Sequence, residues 1–274
     1  MEKEYNPTID TIKGILILFV ILGHLLPGGL NSSFLRYSIY SFHMPLFLFI
    51  SGYLFHLEKS AQMGVKELVK KYWKRMLLEW FLAWLAYTSI VLYGNYSFHN
   101  VMVKIVYPFY HLWYVPGLFA MIFILVITFQ KLRDNYLSFV FLIGLTFILT
   151  SLCLYKSIFN PYHISFYTVF LMGTLGQNIN IDNKKIRIAL GGVSLIIFCA
   201  SLVLIWFYAE RPFNVFAQYV QVPSSILICI FVLLPIIKLR CLKSRLLEFI
   251  GRNSLHFYLW HMLPIVLLNY NDFV

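Results

Sequence analysis

Ile9–His24 reads IDTIKGILILFVILGH, an apolar helix carrying an acid, a base and an imidazole where lipid would exclude all three. The apolar run from Ile12 to Leu30 is long enough to cross a bilayer, which takes about 20 such residues. Lys13 and His24 are eleven positions apart. At about 100° per residue that is three turns plus roughly 20°, so both face one side, about 16 Å apart along the axis. Asp10 lies three residues before Lys13, within reach of an ion pair on the same side. Ionisable groups inside a span mark a buried pathway or site, because exposing a charge to lipid costs several kcal/mol. The plainer alternative makes Asp10 and Lys13 interfacial anchors and His24 a hydrogen-bonded packing residue.

The rest of the chain fits a membrane setting. Of its 274 residues 60% are hydrophobic and only 12% charged, with mean hydropathy +0.76; soluble domains are about 25% charged. The composition leaves no room for a separate soluble domain. The first apolar run is too long for a cleavable signal and lacks a small-residue cleavage site. A net charge of +11 invites a nucleic-acid reading, but its distribution follows membrane topology instead. Cys153, Cys199, Cys229 and Cys241 lack metal-ligand spacing and are expected as small core residues without a disulfide framework.

Apolar length and periodicity predict nine spans, at 12–30, 38–56, 77–94, 112–130, 136–154, 162–179, 187–208, 213–237 and 253–269. With that count, 17 of the 22 Lys and Arg residues share the side of the N-terminus. Four (Arg36, Lys104, Lys156, Arg211) lie opposite, and Arg252 precedes the last span. The bias puts the N-terminus in the cytoplasm of a multi-pass cell-membrane protein. Residues 59–75, KSAQMGVKELVKKYWKR, read as a basic amphipathic helix on the cytoplasmic surface, facing anionic lipid or the phosphates of a cytoplasmic cofactor. Glu79, just inside the third span, is expected to pair with Arg75 four residues earlier.

Three further stretches carry chemistry-bearing side chains. In SIYSFHMPLFLFISGYLF (38–55), His43 sits just before Pro45, which should kink the helix. His24 and His43 fall at matched depth, about 7–9 Å below the outer ends of two antiparallel neighbours. Gly23 allows close approach beside His24. A metal pair is the weaker alternative, since no carboxylate or third ligand lies at helical spacing. Tyr110, His111, Trp113 and Tyr114 open the fourth span, as an aromatic belt or as a carbohydrate platform. Gly251, Arg252, Asn253 and Ser254 mark the entrance of the last span, with His261 mid-membrane. Arg252 either snorkels to headgroups or faces an anionic ligand.

Taken in order, IDTIKGILILFVILGH, SFHMPLFLFISGYLF, HLWYVPGLF and IGRNSLHFYLWHMLP resemble the family-3 membrane acyltransferases, nearest to the fucose 4-O-acetylase-like branch that modifies surface carbohydrates. The four blocks are spread over essentially the whole chain. The family signature in the first span is a basic residue, ten intervening positions and a His. Here these are Lys13, where much of the family has Arg, and His24. Lys supplies a point charge in place of a planar fork. The resemblance implies an all-α integral membrane bundle with ten core helices, against nine counted here, so the final helix is expected to be missing.

The resemblance further implies transfer of an acyl group, usually acetyl, from cytoplasmic acetyl-CoA (acyl-CoA) to a sugar hydroxyl on the outer side. His24 then acts as general base or transient acyl acceptor, and His43 orients the acceptor or assists proton transfer. Lys13, Arg75 and Arg252 are the candidate donor contacts. Asp10, His111, Trp113, Tyr114 and Asn253 are the candidate acceptor contacts, and no metal is called for. The expected partners are a polysaccharide, oligosaccharide or lipid-linked sugar, membrane lipids, and either further copies of the chain or polysaccharide-assembly proteins; nucleic acid is not among them. Two rivals stand beside this reading: a flippase or exporter of such sugars, which needs no thioester, and an inactive relative kept as a partner subunit.

Overall fold

The structure is a computed structural model that describes residues 5–30, 32–93, 96–109, 111–132, 135–155, 164–208 and 215–268. Every regular element among them is helical. In chain order the α-helices are α1 Pro7–Leu25, α2 Phe34–Leu54, α3 Leu57–Ala61, α4 Val65–Tyr72, α5 Leu78–Val91, α6 Phe98–Val106, α7 Tyr114–Leu132 and α8 Asn135–Tyr155. There follow α9 Tyr167–Gly176, α10 Lys184–Tyr208, α11 Val215–Ile228, α12 Leu234–Leu239, α13 Arg245–Arg252, α14 Ser254–Trp260 and α15 Met262–Leu268. Wider π turns at Trp73–Leu77 and Cys229–Leu233 join α4 to α5 and α11 to α12.

Among the described residues each of the nine expected apolar stretches overlaps a helix, although those at 38–56 and 77–94 are not among the helices that meet the length and hydropathy of a span; the protein is a multi-pass membrane bundle. Pro7–Leu25, Tyr114–Leu132, Lys184–Tyr208 and Tyr219–Leu239 are long and apolar enough to span, while Tyr136–Leu149, Ile164–Gly176 and Ser254–Leu267 are shorter apolar helices. The first helix is displaced from its expected 12–30. It starts five residues earlier because Asn6 caps it, accepting from the Thr8 amide at 3.1 Å, with Pro7 in its first turn. It stops at Leu25, where Pro27 and Gly28, the latter at φ +83°, turn the chain.

The described residues form two compact units, one from 5–56, 139–155 and 164–254, the other from 57–138 and 255–268. In the first, two helix pairs approach to backbone contact. A Cβ on Gly14 would lie 2.2 Å from the Leu247 carbonyl oxygen, and one on Gly251 would lie 1.8 Å from that of Asp10, so α1 and α13 touch through their glycines. Gly52 and Gly173 do the same for α2 and α9, against Phe170 and Phe49. Without a hydrophobic driving force between helices in lipid, such small-residue contacts supply the packing. Gln177 then ties α9 to the end of α2 by donating to the Tyr53 and Phe55 carbonyls, both at 2.8 Å.

Pro45 explains one cross-link. Lacking an N–H, it leaves the Ser41 carbonyl without its helical donor. Gln221 Nε2 at 3.1 Å and Ser225 Oγ at 3.4 Å from α11 take that oxygen. Nearby, Tyr37 packs with Phe198, Leu202, Ile205 and Ile228. The middle of α2, which carries His43 and Pro45, is therefore held by α11, with α10 packing on Tyr37 nearer the helix start. Of the cysteines, Cys229 is buried in this unit, whereas Cys199 and Cys241 are exposed, so the core expectation holds for Cys229 alone; the Cys153 side chain lies outside the described residues. In the second unit Gln130 of α7 donates to the Ala61 and Met63 carbonyls at 2.8 and 3.0 Å, anchoring the turn between α3 and α4.

Candidate functional site

The early end of α1 changes the setting of His24. It is half-buried in the last turn of the helix, one residue from its end and so nearer that end than the expected 7–9 Å. His43 is buried in α2. Tyr40, one turn before His43, touches both imidazoles. Its ring meets the His24 ring edge-on at 5.6 Å and the His43 ring at 5.1 Å. Its hydroxyl reaches His24 Nδ1 at 3.1 Å and Nε2 at 3.3 Å. Gly23 makes this possible, since a Cβ there would come within 2.9 Å of Tyr40 Cε2. The close approach expected at Gly23 is thus made by a tyrosine ring.

His43 Nδ1 donates to the Ile39 carbonyl at 2.6 Å, which fixes the tautomer and makes Nε2 the basic nitrogen. Arg36 covers the other side of Tyr40, its guanidinium carbon 5.7 Å from the ring centroid. The same guanidinium donates to the Leu26 and Gly28 carbonyls, left open where α1 ends. Tyr40 and Arg36 were absent from the sequence-derived set. Tyr40 precedes His43 by three residues on one helix, a spacing that signals a shared face.

At the other end of α1, Lys13 Nζ lies 2.9 Å from Asp10 Oδ1, the pair that the spacing called for. Arg252 of α13 shares the same carboxylate at 3.8 Å, and also faces Glu248 at 3.7 Å. Tyr5 closes the group: it donates to Asp10 at 3.1 Å, accepts from Arg252 at 2.7 Å, and lies under the guanidinium. Two cations and two carboxylates cancel, so an anion arriving at Lys13 meets a neutral cluster that must rearrange. Asp10 here holds the two cations, and Asn253 donates to the Phe249 carbonyl at 2.9 Å, closing α13.

The second unit holds the remaining candidates. Arg75 is exposed within the Trp73–Leu77 π turn. The extra residue in that turn rotates the helix beyond it, so the expected Arg75–Glu79 pair does not form; Glu79 instead faces His256 Nδ1 at 3.5 Å. On α4, Lys71 is held below its ordinary pKa by partial burial first, then by Arg75 and Lys59. An anion near α4 would relieve that crowding of like charge.

His111 and Trp113 are 4% and 7% exposed, too enclosed for an aromatic belt facing lipid; Tyr110 lies outside the described residues. The last helix breaks at His261, three residues before Pro264, and the carbonyls of the break gather the cluster. Tyr87 donates to the Leu259 carbonyl at 3.0 Å and His111 Nε2 to the same oxygen at 3.3 Å. His261 Nδ1 turns back to Tyr258 O at 2.8 Å, while Tyr258 donates its hydroxyl to the His111 carbonyl. The His111 and His261 rings lie 4.9 Å apart, and Tyr114 meets Tyr258 at 5.4 Å. Helix breaks of this kind persist inside a membrane only where buried donors take the freed carbonyls.

Chemically, the His24–Tyr40–His43 group offers a half-buried imidazole oriented by a phenol, with a second, buried imidazole of fixed tautomer behind it. That arrangement suits proton abstraction or nucleophilic attack. Among the described residues no three His, Cys, Asp or Glu side chains are grouped to hold a metal ion.

Comparison with known proteins agrees with the membrane fold. Residues 6–273 match the acyltransferase domain of the acyltransferase 3 family. The chain is 40% identical over 94 residues to nodulation protein NolL of Mesorhizobium japonicum, covering 31% of this chain and 25% of that protein. It is 48% identical over 54 residues to nodulation protein NolL of Sinorhizobium fredii, covering 17% and 15%. The matches thus span a quarter or less of these relatives' length. No solved structure matches the chain.

Proposed function

The chain belongs to the acyltransferase 3 family, and from that premise we propose that it is an O-acetyltransferase moving acetyl from cytoplasmic acetyl-CoA to a sugar hydroxyl across the cell membrane. The observation that carries the assignment of roles is the single helix α1, with Lys13 near its start and His24 in its last turn, about 16 Å apart. In this reading Lys13 meets the donor's phosphates, with Arg252 beside it. The neutral Asp10 cluster opens as Lys13 exchanges carboxylate for phosphate. The pantetheine arm then runs along α1 and brings the thioester to His24.

His24 takes the proton of the acceptor hydroxyl as its oxygen attacks the thioester carbonyl. The C–S bond breaks, and the thiolate leaving with CoA collects that proton. Tyr40 fixes the plane of the His24 ring, and His43 stabilises the tyrosine from behind. His111, Trp113 and Tyr114 are assigned to the acceptor side, acting through the broken last helix more than by open stacking. The test is direct: membranes containing the protein, given acetyl-CoA and a panel of glycans, release CoA thiol, and His24→Ala membranes do not. A flippase would release none with the wild type, and that result would overturn the proposal.

A further inference from the structure

The first unit holds a cavity of about 210 Å³ remote in sequence from His24, between the 179–182 loop, the start of α10 and the end of α12. One water needs only about 10–15 Å³ by this measure, so the space takes a far larger group. Two cations line it. Arg187 donates to the Ile181 carbonyl at 3.2 Å, and Lys238 to that of Ile179. These bonds pin both side chains to the loop and use one N–H of each, while a guanidinium carries five and an ammonium three. The cavity's carboxylate, Asp182, accepts from Asn180 at 2.6 Å. Among the described residues neither Arg187 nor Lys238 forms an ion pair. The lining is thus net positive.

The remainder of the wall is apolar, with Leu234 and Pro235 facing the space. Leu239 in its wall is 55% exposed, and Ile186 and Ile188, beside Arg187 in sequence, are 52% and 64% exposed, all on helices long and apolar enough to cross a membrane. A ligand fitting both halves has an anionic head and an apolar body. The cavity lies at the end of the unit where α1 begins, since Asn6 donates to the Ile237 carbonyl at 2.8 Å, next to Lys238. This is the end where Lys184 and Lys185 add to the positive field. Basic pockets between spans on such a side hold lipid phosphates.

We propose that this cavity is a phosphate-binding site occupied by the headgroup of an anionic phospholipid. It is independent of the acyl-transfer reading, because neither cation belongs to the α1 cluster. The source of the phosphate is read by two arms on the purified full-length protein. In the first, native mass spectrometry compares retention of dioleoyl phosphatidylglycerol and dioleoyl phosphatidylcholine. Wild type should retain phosphatidylglycerol, with affinity falling about fivefold for Arg187→Gln or Lys238→Gln and about thirtyfold for both.

The charge-conserving pair Arg187→Lys with Lys238→Arg should keep that preference, which separates lost charge from a loosened loop. Melting in phosphatidylcholine checks that every variant is folded. In the second arm, CoA and 3′-dephospho-CoA are titrated against wild type and the double glutamine variant, with no difference between proteins expected. Loss of CoA binding with phosphatidylglycerol retention unchanged would reject the lipid as occupant and assign the pocket to a nucleotide phosphate. Folded glutamine variants that hold both ligands like wild type would overturn the site itself.

Discussion

Replacing Tyr40 by Phe removes one hydroxyl and little else. The ring that fills the space beside Gly23 and meets His43 edge-on is kept, so the fold should be retained. What disappears is the hydroxyl's contact to His24 at 3.1 Å, together with its polar contact to Arg36. A neutral hydrogen bond of this kind contributes about 0.5–1.5 kcal/mol net. If it holds the imidazole in its productive plane, kcat should fall about two- to thirteenfold, with the KM for acetyl-CoA unchanged. His24→Ala should cost far more, about 10²–10⁴ as expected for general acid–base catalysis. The decisive measurement is the double variant, assayed by CoA thiol release. A hydroxyl that acts only through His24 has nothing left to orient once the imidazole is gone, so the double variant should be no slower than His24→Ala. Tyr40→Phe at the wild-type rate, or a double variant in which the two losses add, would refute the positioning role.

Three other outcomes are expected. Lys13→Ala should raise the KM for acetyl-CoA at unchanged protein level, and Lys13→Arg should keep most activity because the charge survives; a loss confined to the amount of folded protein would make Lys13 an anchor. Gly251→Ala should cost about 1–3 kcal/mol, seen as a lower unfolding midpoint in detergent, because its Cβ would fall 1.8 Å from the Asp10 carbonyl oxygen and backbone cannot step aside. Cysteines placed at Lys66 and Lys184 should be shielded from an impermeant thiol reagent in intact cells, and one at Lys156 should react; labelling of the first two from outside would reject a cytoplasmic N-terminus.

What could be read from the sequence was whatever depends on spacing along one helix. Lys13 pairs with Asp10 three residues away because that geometry is internal to α1, and the apolar stretches became helices because lipid leaves the backbone no alternative. The reading failed where a local irregularity resets the spacing. Arg75 misses Glu79, which faces His256 instead, where a π turn replaces the α-helical winding. His24 lies in the last turn because the Asn6 cap and the Pro27–Gly28 turn displace the whole helix toward the N-terminus. Tyr40 stayed invisible for a different reason: its partner belongs to another helix, and only the missing side chain of Gly23 lets the two approach. The glycine carried the signal, but a glycine says only that something comes close. Here it is the phenol, which makes the pair of histidines one connected group, and the chemistry proposed for the site rests on that connection.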